Sequence, residues 1–157
     1  EVEDEVKKLM DRGTEIIEKL KELVDKDAEV FEPLSKAYGL PKDTPEQARQ
    51  KEITIENCSK VACSVPMEIM RYAYEGIKIH QRMGQIGSML ALSDVGCGVT
   101  FLKSALVAGS LNVIINLNTI KDPDFKGKTQ KEMDQLINDG SKLADETLNL
   151  VIAKLKK

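Results

Sequence analysis

Tryptophan is absent, and tyrosine and phenylalanine contribute three residues each. Ala, Leu, Ile, Lys and Glu dominate instead, a composition that favours helices. Two-residue alternation of apolar and polar positions is also missing, which excludes a half-buried sheet. There is no internal repeat and no low-complexity linker. The three cysteines, Cys58, Cys63 and Cys97, are odd in number and sit in apolar surroundings. They read as free thiols of a reducing, cytoplasmic compartment. Cys58 and Cys63 stand five apart and the single His80 is remote, so no zinc-ligand spacing appears and no metal is expected. The net charge of −3 argues against nucleic acid as a partner. The charge is uneven: residues 1–32 carry −6, leaving +3 for the rest, a weak inducement for an anionic ligand. No secretory signal is visible.

What is present is organised around Ser93 to Asp122. Between Val95 and Ile120 the only ionisable side chains are Lys103 and the Cys97 thiol. A helix apolar nearly all round is a buried helix or a membrane span. Val95 to Leu117 is long enough to span. Lys103 and two Asn fall within it, however, and every other helix reads as amphipathic, so a buried helix and no membrane partner are expected. At roughly 100° per residue, Asp94, Gly98, Ala105, Gly109, Asn112 and Asn116 fall within about ±40° of one line. The helix thus carries a small-residue stripe, with a carboxylate at its start and two amides further down. Small residues let a backbone or a flat ligand approach closely. Tight helix packing, with Ser93 and Asp94 as ordinary N-caps, accounts for the same pattern.

The rest of the chain reads as helices in series. Residues 3–38 carry apolar positions at three-, four- and seven-residue spacing, with Pro33 expected to kink or split the helix near Phe31. Thr44-Pro45-Glu46-Gln47 opens a second helix through a capping box. A third runs from Pro66 to about Met83. A loop bearing Gly87 and Ser88 delivers the chain to Ser93, and the central helix covers 94–118. Pro123 and Gly127 mark a turn before a last helix over 128–156.

Several of these segments resemble one family. They are Ser93-Asp94-Val95 followed by Asn112-Val113-Ile114-Ile115-Asn116-Leu117, Asp25-Lys26-Asp27-Ala28 with Phe31, and Leu40-Pro41 with Val65-Pro66-Met67. In their order along the chain they resemble the formimidoyltetrahydrofolate cyclodeaminase / methenyltetrahydrofolate cyclohydrolase family. Helix periodicity throughout predicts an all-α, antiparallel bundle of about five helices around the central one, and that apolar helix with its glycine stripe, needing cover, predicts a homodimer. The resemblance implies a single domain over 1–157 that lacks the family's N-terminal Pro-Gly-Gly-Gly-Ser turn and first helix. It also implies a tetrahydrofolate derivative as substrate, with no permanently bound cofactor. Asp94 matches the family's catalytic aspartate; burial would raise its pKa towards neutrality, while the helix N-terminus favours the ionised form. Gly87, Ser88, Ser93, Asn112 and Asn116 are the matching substrate-binding candidates. Ser88 stands where the family usually has Asn. Asn112 lies roughly 27 Å along the helix from Asp94. Either the two Asn are satisfied within the core, or a second subunit brings them to the site. The competing reading is a non-catalytic helical module that binds folate or a partner through the small-residue stripe.

Overall fold

The computed structural model describes residues 2–157. Among them are five α-helices and no strand. These are α1 (Val2–Tyr38), α2 (Pro45–Ala62), α3 (Ser64–Ile86), α4 (Leu92–Leu117) and α5 (Pro123–Leu155), with a 3₁₀ turn at Met89–Ala91.

In α1, one face buries Ile16, Leu23, Val30, Leu34 and Ala37. The helix continues through Pro33 rather than splitting at Phe31. Proline removes one backbone hydrogen bond, but Val30, Leu34 and Ala37 on either side of it are buried and hold the last turns in register. α2 starts as expected: the Thr44 hydroxyl accepts from the Gln47 N–H, and the Gln47 side chain accepts from the Thr44 N–H. Cys63, at φ −64° and ψ −25°, closes α2 and opens α3 without leaving the helical region. α3 therefore begins ahead of Pro66, which a first turn tolerates. α5 begins at Pro123, not at Lys128. The Asp122 carboxylate accepts from the backbone N–H groups of Asp124 and Phe125 at 3.0 and 3.1 Å, and Pro123 takes the N1 position. Gly127 accordingly lies inside the helix.

The main core joins Met70, Ala73 and Ile77 of α3, Val99, Leu106 and Val113 of α4, and Met133 and Ala144 of α5. α4 faces His80 of α3 at Gly98 and Met70 at Gly109, so α3 and α4 run antiparallel. It faces Val151 of α5 at Gly96, and Leu106 of α4 meets Gly140, so α4 and α5 are antiparallel too. α1 packs on α2 and α3 around Leu23, Val30 and Val65.

The central helix is not buried all round. Its side towards α3 and α5 is, but Phe101 is 75%, Leu111 63% and Ile115 62% exposed. Residues 89–117 are long and apolar enough to cross a membrane by length and composition, and 28% of the most apolar window is buried. Uniform hydropathy concealed this division into a packed side and an open side.

Candidate active site

The end of α3 and the start of α4 form one corner of the molecule. Gly87 closes α3 with its N–H donating to Met83 O at 2.8 Å. A Cβ at residue 87 would stand 2.5 Å from that oxygen, so only glycine fits. From α5, the Lys154 ammonium donates to Gly84 O and Gln85 O, at 2.7 and 3.3 Å, and takes up carbonyls at the end of α3. Ser88 follows, exposed, and leads into the 3₁₀ turn.

That turn runs directly into α4, and the cap position falls on Ala91. Ser93 and Asp94 therefore lie inside the first turn and are not N-caps. Asp94 keeps a favourable place near the positive end of the helix dipole. Its side chain is exposed and forms no hydrogen bond or ion pair among the described residues. The chain alone does not supply the burial expected for it.

The small-residue stripe divides along its length. Gly98 and Gly109 are taken up by packing against α3. A Cβ at residue 98 would lie 2.1 Å from His80 Nε2, and one at residue 109 would lie 2.7 Å from Met70 Cγ. Ala105 and Asn112 are exposed, and Asn116 is half-buried. Asn112 Nδ2 donates to Ala108 O at 3.3 Å and Asn116 Nδ2 to Asn112 O at 3.0 Å. Both amides are thus satisfied by their own helix at the surface, not by neighbours in the core. Gly87, Ser88, Ser93 and Asp94 share one end of the molecule, and Asn112 and Asn116 sit towards the other.

Beside the Asp94 corner, α4 and α5 enclose an open groove of about 400 Å³, within the size range of small-molecule sites. Gly96, Cys97 and Phe101 of α4 and Leu148, Val151 and Ile152 of α5 line it, with Ser93 at its edge. All three cysteines are free thiols, and burial pushes the Cys63 thiol up to about 11, leaving it unreactive. Among the described residues, no three His, Cys, Asp or Glu side chains are grouped to hold a metal ion.

Two contributors escaped the sequence reading. Lys154 carries no sequence signal that separates it from the other charges in the last turns of α5. His80 was set aside as remote from the cysteines, yet its ring fills the berth left by Gly98. The signal was the Gly98 position on the stripe, which announced a close neighbour without naming it.

The Formiminotransferase-cyclodeaminase family profile matches residues 1–135. The chain belongs to this family. Among named relatives, methenyltetrahydrofolate cyclohydrolase of Methylorubrum extorquens is 29% identical over 119 residues, which are 76% of this chain and 57% of that protein. Formimidoyltransferase-cyclodeaminase of Rattus norvegicus is 28% identical over 118 residues, covering 75% of this chain and 22% of the relative. The chain thus matches little more than half of the first relative and about a fifth of the second. The crystal structure of formiminotetrahydrofolate cyclodeaminase from Thermotoga maritima superposes with a TM-score of 0.68 at 24% identity. It covers 97% of this chain and 72% of its own, and it establishes a shared fold.

Proposed function

We propose that this family member acts on a tetrahydrofolate whose one-carbon unit lies between N5 and N10. It would serve as a methenyltetrahydrofolate cyclohydrolase or a formimidoyltetrahydrofolate cyclodeaminase. The observation that carries the reading is Asp94, an unpartnered carboxylate in the first turn of α4, within the Ser-Asp-Val segment. In cyclohydrolysis, water attacks the methenyl carbon and the ring opens to the 10-formyl form. In cyclodeamination, N10 attacks the formimidoyl carbon and ammonia leaves. Both reactions move protons between nitrogen and oxygen or nitrogen and nitrogen, which a positioned carboxylate does. The folate is substrate, and no resident cofactor enters the proposal. Gly87, Ser88 and Ser93 would contact it from the loop beside Asp94.

The same reading includes a homodimer. The open side of α4 exposes Phe101, Leu111 and Ile115, an apolar surface of the kind that marks an interface. Ser104, Ala105 and Ala108 lie between Phe101 and Leu111 and allow close approach of another helix. Two α4 helices crossing antiparallel near Ala105 would set Asn112 and Asn116 of a second copy beside Asp94. That arrangement covers the carboxylate and gives both amides a place at the site. The free thiols fit the cytoplasm, and neither nucleic acid nor membrane is proposed as a partner.

Exposure of Asp94 in the single chain favours a second reading, a non-catalytic helical module that binds folate or a partner. Turnover separates the two. The purified chain is incubated with methenyl- and then formimidoyl-tetrahydrofolate, following loss of the methenyl chromophore and release of ammonia. Consumption of either substrate supports the enzyme, and the substrate consumed assigns the reaction. Tight folate binding with neither turned over supports the module.

A further inference from the structure

We propose that His80 is the second proton-handling group of the Asp94 site, an inference that rests on the folate reading above. His80 is the single histidine of the chain. Its Nδ1 lies 2.8 Å from Gly76 O. A carbonyl oxygen only accepts, so Nδ1 carries the hydrogen, and in the neutral ring Nε2 is a bare acceptor. Among the described residues Nε2 has no hydrogen-bond partner. Among the described residues no fully buried side-chain nitrogen or oxygen lacks a partner, so Nε2 is not sealed from solvent. The ring is set against α4 in the space that Gly98 leaves open.

Asp94 stands four residues before Gly98 on the same edge of α4, about 6 Å along the helix axis. Two side chains able to exchange protons therefore lie along one edge, one helical turn apart: the exposed Asp94 carboxylate, and the His80 ring, held through Nδ1 with Nε2 against Gly98. A one-carbon unit resting over the intervening backbone has one of them on each side. In cyclohydrolysis, the water oxygen bonds to the methenyl carbon while Nε2 takes one water proton. The remaining hydroxyl proton passes through Asp94 to N5 as the carbon–N5 bond breaks and the formyl C=O forms. Nε2 then releases its proton to solvent, so one water is consumed and one proton is released.

Because the histidine is unique, its imidazole nitrogens give unambiguous NMR signals in the full chain. Tetrahydrofolate, which lacks the one-carbon unit and does not react, is the probe, and calorimetry measures its binding. The expected result is a shift of the Nε2 resonance that saturates with binding. Alongside it, His80→Gln lowers kcat about 10²-fold on the substrate consumed and leaves KM within about twofold. Tetrahydrofolate binding without an Nε2 shift overturns the role of His80, whether or not the variant folds. A folded His80→Gln protein with near wild-type kcat overturns it as well. If tetrahydrofolate does not bind, the folate reading itself fails and this inference falls with it.

Discussion

Glycines in this chain divide by what a methyl group would meet. At Gly127 nothing lies within 4 Å, and the residue sits in the first turns of α5. Gly127→Ala is expected to stabilise the fold by about 0.5–1 kcal/mol through lower unfolded-chain entropy and better helix propensity. At Gly140 the new Cβ would stand 2.4 Å from Cδ2 of Leu106, a side chain with no exposed surface to move into. Gly140→Ala is expected to cost about 1–3 kcal/mol despite the same propensity gain. Urea unfolding of the two variants checks both signs. Neither sign was legible in the sequence, where both glycines fall in helix-forming surroundings and only the neighbours differ. Asp94 shows the same limit: its residue type and place suggested a cap, while the 3₁₀ turn ahead of it moved the cap position to Ala91.

The start of α5 was misplaced because Pro123 and Gly127 read as turn residues, whereas Asp122 caps the helix before them. Asp122 also joins α5 to α2, with Lys60 Nζ donating to its carboxylate at 2.8 Å. That ammonium first, and the Phe125 N–H next, hold the carboxyl below its usual 3.8. Between the two values the unfolded chain binds a proton that the folded chain does not. The stability Asp122 contributes is therefore present above about pH 4 and is lost as pH falls through the folded value. Asn is nearly as good a cap but cannot titrate. Asp122→Asn is expected to show a smaller drop in urea midpoint than wild type between about pH 5 and about pH 3. An equal drop in both proteins would remove Asp122 from the acid response. The helices themselves were legible because three- and four-residue apolar spacing persists through each. In α4 that signal failed, since nearly every position is apolar and periodicity does not tell the packed side from the open one. Leu106 marks the packed side, and Leu106→Ala is expected to cost about 2–5 kcal/mol in thermal or urea unfolding.

For the molecule as a whole, the order of motifs revealed the family, whereas the proposed dimer rests on an open side of α4 that uniform hydropathy did not mark. Phe101, Leu111 and Ile115 are exposed on one side of α4, and the proposed dimer covers them. Sedimentation at micromolar concentration is expected to give a dimer, and Phe101→Glu is expected to give a monomer with its helical content intact. A wild-type monomer would remove the second copy from the site, and with it any role there for Asn112 and Asn116. The central claim is that this family member turns over a one-carbon tetrahydrofolate through Asp94. It is tested most directly by the rate of Asp94→Asn beside wild type on the substrate that wild type consumes. Because Asp94 is exposed and unpaired, the substitution forfeits at most the helix-dipole interaction, about 0.3–1 kcal/mol, and the fold is expected to survive. Asn holds the shape of the side chain but cannot carry a proton, so kcat is expected to fall about 10²- to 10⁴-fold. A folded Asp94→Asn protein that turns substrate over at the wild-type rate would contradict the account.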